Sequence, residues 1–188
     1  MTAEWISAVA TAGTFVVILA SAIAALVQLR HMRGSNQIVA LTECRETMES
    51  AEFGDALAFV SYELPKRLSD PAEVGRLLAI PFVDEYRAIG TVGNFFESMG
   101  VFVKNGIIDK DIACDVWSGV VLRNWEALAP IVEFLRGRTS EALWENFEYL
   151  AVLASQFLVE HPSSYPLGFP RMPKDRTLVE SRAESSTP

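Results

Sequence analysis

Histidine and cysteine are scarce in this 188-residue sequence: two of each, His31, His161, Cys44 and Cys114. A nucleophile with its base needs histidine or a substitute beside Ser or Cys, and His31 and His161 stand at opposite ends of the sequence, so a triad has no material here. Structural zinc needs clustered Cys and His, and scattered single residues do not supply that. Phosphate-cradling G-x-x-x-x-G-K-S/T and a G-x-G-x-x-G opening a helix after a strand are also missing. No catalytic, cofactor-binding or metal-ligating residue is therefore assigned. Cys44 and Cys114 read as unpaired structural thiols of a reducing compartment; one disulfide between them is the alternative and requires a body outside the cytosol.

Basic side chains are also short, 16 against 24 acidic ones for a formal charge of -8. Glu4, Arg30 and Arg33 are the only charged residues up to position 33, so the remainder is more acidic still. Nucleic acid is not expected as a partner, because duplex binding needs clustered cations. The same charge argues against the body lying flat on anionic lipid.

Charge is missing altogether from Trp5 to Leu29, WISAVATAGTFVVILASAIAALVQL. As a helix this stretch is about 37 Å long, enough to cross a hydrocarbon core of about 30 Å with some tilt. It is read as a transmembrane anchor whose partner is the lipid bilayer. Trp5 on one side and Arg30 and Arg33 on the other are its interface residues, and the positive-inside bias puts the N-terminus outside and the body in the cytoplasm, at the cell (inner) membrane. A cleaved signal peptide is the rival, since Ala20-Ser21-Ala22 and Ala22-Ile23-Ala24 have the small-x-small form; the missing basic n-region and the length of the run oppose it. Ala8 and Ala12, like Ser21 and Ala25, repeat at the four-residue spacing that lets membrane helices approach, compatible with a homo-oligomer.

Beyond Arg33 the apolar residues recur at helical spacing up to about Val159. The fold class is all-α, one N-terminal transmembrane helix followed by a small bundle of four to five helices: anchor and basic flank over residues 1–33, helical domain over 34–160, and a Pro/Ser-rich tail over 161–188 expected to be extended or disordered. Gly34-Ser35-Asn36 is the one candidate break between anchor and body; without it the membrane helix continues as a stalk. A long amphipathic helix is expected from Asn36 to Leu64, ended by Pro65, and a short one from Asp70-Pro71 to about Ile80, closed by Pro81. Others are expected from Phe82 to about Lys104, from Asp109 to about Leu135 with Pro130 kinking or dividing it, and from a Thr139 or Ser140 cap to about Val159. Glu43, Glu46, Glu49 and Glu52 drift around their helix and read as a solvated face, with no Glu-x-x-His pair for a di-iron site. Asp109, Asp111 and Asp115 fail as a calcium loop, because Cys114 stands where the turn requires glycine and Val120 where a Glu is needed.

Asn94 and Glu97 lie one turn apart beside Phe95 and Phe96, and Gly90, Gly93 and Gly100 fall with Glu97 near one side of that helix, where another helix can pack closely. Two readings stay open: a polar pair capping or bonding to a neighbouring helix, or, with Trp117 and Trp125, the lining of a ligand pocket. The sequence also resembles an uncharacterised family of mostly bacterial proteins, known only as a domain of unknown function, in which one N-terminal span precedes a short helical domain. The resemblance rests on Trp5 with its apolar run, the stretch Asn94 to Gly100, the turn Gly106-Ile107-Ile108-Asp109, and Trp117, Trp125, Pro130 and Arg136, over roughly Trp5 to Leu153. It implies a helical membrane-anchored protein and no activity. The functional expectation is a membrane-anchored interaction or regulatory module with a protein partner or a second copy, more an adaptor than an enzyme. The alternatives are a ligand-binding domain or enzyme around Asn94 and Glu97, or a secreted or periplasmic helical protein.

Overall fold

The computed structural model of the chain describes residues 2–79, 84–166 and 168–172, apart from the side chains of Ile6, His31, Arg33, Ser35 and Asp84. The described residues form seven α-helices and one π-helical turn, with no strand. The expected ends at Ile80 and Pro81, the start at Phe82, the interface role of Arg33 and most of the tail lie outside the described residues.

The first helix, α1, runs from Ala3 to Glu49 without interruption. At 1.5 Å per residue it is about 70 Å long. Within Ala3–Arg30 the most apolar 18 residues have a mean hydropathy of 2.2, and none of them is buried against the rest of the chain. The Gly34-Ser35-Asn36 break does not occur, since α1 passes through all three residues as helix. Single helix-weakening residues cost about 1 kcal/mol each and do not outweigh continuous hydrogen bonding on both sides. Ala40 and Cys44 are the first residues of α1 to enter the core.

The helix expected from Asn36 to Leu64 is divided. Ser50 is extended, with ψ 143°, and its hydroxyl accepts the Phe53 N–H at 3.3 Å, which caps α2 (Ala51–Ala58). Serine competes with a helical backbone in this way, a signal the apolar periodicity masks. Pro65 does not end the next helix. The π turn Phe59–Glu63 precedes it, with Leu64 N–H bonded to Phe59 five residues back, and Pro65 sits in the first turn of α3 (Leu64–Leu68), where no helical donor is needed. Asp70 caps α4 (Pro71–Leu77) by accepting the Ala72 N–H at 2.8 Å.

Three long helices complete the body: α5 (Asp84–Lys104), α6 (Lys110–Arg136) and α7 (Glu145–Glu160). Between α5 and α6, Gly106 is left-handed at φ 65° and the Ile107 N–H returns to the Phe102 carbonyl. Asp109 then caps α6 through the N–H groups of Asp111 and Ile112. α6 continues through Pro130 undivided. The last helix starts at Glu145, beyond Thr139 and Ser140: Ser140 accepts the Ala142 N–H, but the chain turns until Trp144, which is left-handed at φ 53°.

Cys44 and Thr47 line a hollow with Phe95, Met99 and Phe102; Ala56 and Phe59 line another with Glu85, Ala88 and Thr91. As numbers rise along α1 and α2 they fall along α5, so the two runs are antiparallel and α1 leaves the body at the Lys104 end of α5. A continuous core of Val60, Leu64, Ile89, Phe96, Leu128, Phe147 and their neighbours holds the helices together. Rings cross it from element to element, Phe53 on Phe95, Phe96 on Phe147 and Trp125 edge-on to Phe147, with centroids 4.6, 4.9 and 5.1 Å apart.

Candidate functional site

Glycine determines where α7 can sit. A Cβ on Gly93 would lie 2.2 Å from the Trp144 ring, and one on Gly100 would lie 2.1 Å from the backbone oxygen of Asn146. Those bare positions let the start of α7 press onto α5, and the polar residues between them face its first turn. Asn94 accepts the indole N–H of Trp144 at 3.0 Å through its side-chain oxygen. Glu97 Oε2 accepts the backbone N–H groups of Asn146 at 3.0 Å and Phe147 at 2.9 Å, and its Oε1 accepts the Asn146 side-chain amide at 2.6 Å. Lys104 donates to the Asn146 side-chain oxygen at 3.2 Å.

The first N–H groups of a helix have no partner within it and carry the positive end of its dipole. Trp144, as the residue before the helix, has no side-chain oxygen to offer them. A carboxylate from another helix supplies the acceptor instead, and its charge suits that end of the dipole. The left-handed backbone of Trp144 is costly for a large side chain and is held by the Gly93 recess and the Asn94 bond.

Asn94 and Glu97 thus come together on one target, with both Glu97 oxygens engaged. Trp125 reaches the same region as a half-buried ring against Phe147. Trp117 is buried in the core of α6. Four open hollows lie elsewhere, the largest, about 510 Å³, between Pro71, Val74, Leu78, Phe134 and Arg138; none of the four is lined by Asn94, Glu97, Trp117 or Trp125. Among the described residues no three of His, Cys, Asp and Glu gather as a metal-holding group. On the apolar part of α1, Trp5 and Arg30 are exposed.

Two features of this region carry no local signal in the sequence. Trp144 and Asn146 pair with Asn94 and Glu97 across 49 to 50 residues, beyond the reach of any spacing pattern. Arg136 clamps the α6–α7 connection, donating to the Leu143 carbonyl at 2.9 Å and to Glu148 at 2.7 Å; its remaining Nη2 is buried without an acceptor among the described residues.

A family model describes such a chain over residues 15–152, from within the apolar stretch to the middle of α7. The protein belongs to the DUF4760 family, a domain of unknown function. No curated protein and no solved structure matches it. The DUF4760 match takes in the Gly93–Gly100 surface, the Asn105–Asp109 turn, Pro130 and Arg136, and stops before the last turns of α7 and the proline-rich tail. That the DUF4760 region begins inside the apolar segment makes half of that segment part of the same unit as the body.

Proposed function

We propose that this protein is a single-span membrane-anchored helical module whose body works on the cytoplasmic side by holding a partner, or a second copy of itself, at the bilayer. The observation that carries the reading is α1: a stretch within Ala3–Arg30 whose most apolar 18 residues average a hydropathy of 2.2 and stay exposed continues as one helix into the core at Ala40 and Cys44. A body joined through unbroken helix is held at a defined height and orientation, unlike one on a flexible linker. Orientation is argued from Arg30 and Arg33, which stand at the body end of the span where the positive-inside bias keeps cations cytoplasmic. An interaction role is argued from the acidic helical surface and from Glu97 and Asn94, whose polar atoms serve α7.

Reporter fusions test the topology: a C-terminal fluorescent fusion folds and glows in the cytoplasm, whereas a periplasmic phosphatase fusion at the same end stays inactive. An active phosphatase fusion overturns the orientation. Intact mass of the membrane-extracted chain decides against the anchor if the mature chain begins near Ala22 to Ala25. Crosslinking in intact membranes then tests the interaction role. The expectation is a defined adduct, with a partner or a second copy, that is lost when the span is removed; a body that forms none contradicts it.

A further inference from the structure

The levels of the helices place the end of α7 near the bilayer. Since α1 leaves the body at the Lys104 end of α5, that end faces the membrane. Along the neighbouring contact, Trp144 meets Gly93 and Asn94, while Asn146 meets Glu97, Gly100 and Lys104. The two numberings rise together, so the chain enters α7 travelling in the direction of α5, towards the same end. α7 is about 24 Å long and α5 extends only about 10 Å beyond Glu97, so the last turns of α7 project about 13 Å past it. The stretch of α1 from Ala40 back to Arg30 is about 15 Å.

The chemistry changes where α7 ends. Ser163 to Arg171 form a loop closed by their own contacts: Tyr165 OH donates to the Pro170 carbonyl at 2.9 Å, Arg171 lies over the Tyr165 ring at 4.7 Å, and Arg171 Nη2 donates to Ser163 Oγ at 2.9 Å. Gly168, at φ 84°, allows the turn that returns the Phe169 N–H to Pro166. The loop leaves its apolar side chains in solvent: Phe169 and Met172 are 70% and 86% exposed, and Val159 in the last turn of α7 is 81% exposed. Between Glu160 and Asp175 the sequence holds no acidic residue, and it carries His161, Arg171 and Lys174 in a chain whose net charge is -8.

We infer that the described residues between His161 and Met172 are a lipid-contacting loop. Phe169 and Met172 enter the interface of the bilayer that α1 crosses, while Arg171 meets anionic headgroups. Exposed aromatic and apolar side chains beside cations, with no acid among them, are the composition that binds an anionic interface. Pre-shaping by the Tyr165–Arg171 stack lowers the ordering cost of that contact. The inference rests on the anchored reading of α1, and the cytoplasmic leaflet supplies the negative surface.

The test uses the full chain in nanodiscs of phosphatidylcholine, with or without phosphatidylglycerol, carrying a nitroxide at Met172→Cys and, in a separate sample, at Ala20→Cys in the span. Cys44 and Cys114 are buried and compete poorly for the label. The Met172 label is expected to be more accessible to oxygen than to an aqueous nickel chelate in the anionic discs, and to lose that preference in the neutral ones. Arg171→Gln, which removes the loop's attraction for the headgroups, lowers the lipid-facing fraction about fivefold. If the Ala20 label is in lipid while the Met172 label is aqueous in both discs, the loop inference falls and the anchor stands. Spin–spin broadening at Met172 in place of lipid contact, the mark of a second copy, likewise overturns the loop inference alone. An aqueous Ala20 label overturns both.

Discussion

The carboxylate of Glu97 lies 2.9 Å from the backbone nitrogen of Phe147, so α7 is capped by a residue of α5 fifty positions earlier. The cap also orients Phe147, whose ring stacks on Phe96 in the centre of the body. Glu97→Ala removes three acceptor contacts to one helix end and is expected to destabilise the protein by about 3 kcal/mol, within the range for charge-assisted bonds combined with loss of a cap. Glu97→Gln keeps one oxygen for the backbone N–H groups and should lose less. Thermal unfolding of the detergent-solubilised chain, followed by circular dichroism, separates the two; equal stability of Glu97→Ala and the parent contradicts the capping role.

The backbone carbonyl of Asn146 fills the space where Gly100 has no side chain, and a backbone oxygen cannot rotate away as a side chain can. Gly100→Ala is therefore expected to cost more than the gain in helix propensity of about 1 kcal/mol returns, with a net loss of about 1–3 kcal/mol from overpacking. Gly90, on the same helix, faces open space, with nothing within 4 Å of an added Cβ. Gly90→Ala is accordingly expected to stabilise by some tenths to about 1 kcal/mol. Opposite signs at two glycines of one helix are the diagnostic outcome.

These contrasts mark how far the fold is legible in the sequence. The apolar stretch of α1, the Asp70 and Asp109 caps, the Gly106 turn and the buried stripe of α5 follow from local pattern, because each is fixed by residues within a few positions of one another; on α6 the helical spacing places Trp117, Val121, Leu128 and Ile131 in the core but also predicts burial of Ile112 and Val116, which are exposed. The close-packing side of α5 is recognisable from local pattern at Gly93, Glu97 and Gly100, whereas Gly90, expected on that side, faces open space because α7 begins beyond it. Its cover is not, since the start of α7 is set by Trp144 in a left-handed conformation that propensity argues against and tertiary contact enforces. The break at Ser50 is hidden because it falls inside an unbroken apolar period, and Pro65 misleads because a proline tolerated after a π turn has the same sequence as one that ends a helix.

Asn124 is fully buried, its amide donating to the Val120 carbonyl at 2.8 Å and its oxygen accepting the Ser61 hydroxyl at 3.1 Å. The second bond joins the π turn to α6. A double-mutant cycle with Ser61→Ala and Asn124→Ala should return a coupling energy of about 1 kcal/mol, as for neutral hydrogen bonds between contacting residues. Additive losses would mean that the π turn is held on α6 by Val60, Leu64 and the bond from Arg123 to the Tyr62 hydroxyl without help from Ser61.

Glu85 ties α5 to α3 and α4, with Arg67 at 3.3 Å and Arg76 at 3.2 Å. Its own backbone N–H first, and then the Arg76 guanidinium, hold its carboxyl below the ordinary 4.5. A carboxyl depressed on folding contributes stability that is present above its unfolded pKa and is lost as pH falls through the folded one. The contribution should therefore persist at neutral pH and fade only below about pH 4.5. In acid titrations of unfolding, Glu85→Gln should be less stable than the parent at pH 7 and converge with it in acid; curves that stay parallel to low pH contradict the ion-pair account.

Burial pushes the thiols of both Cys44 and Cys114 above the ordinary 9.0, with Glu43 adding to the first and Asp111 to the second. A raised folded pKa means that the folded state keeps its proton where the unfolded chain gives it up, so stability is intact below about pH 9 and declines as pH rises towards the folded values. The same cause suppresses the thiolate that reacts with electrophiles. Both cysteines are free, so a maleimide at pH 7 should label neither while the body is folded and both once it is unfolded. Cys44 sits where α1 first enters the core, lining a hollow of about 190 Å³ with Phe95 and Met99. If the stalk separates from α5 more readily than the bundle opens, Cys44 will label at lower denaturant than Cys114. Simultaneous labelling of the two would instead make the end of α1 part of the same cooperative unit as α6.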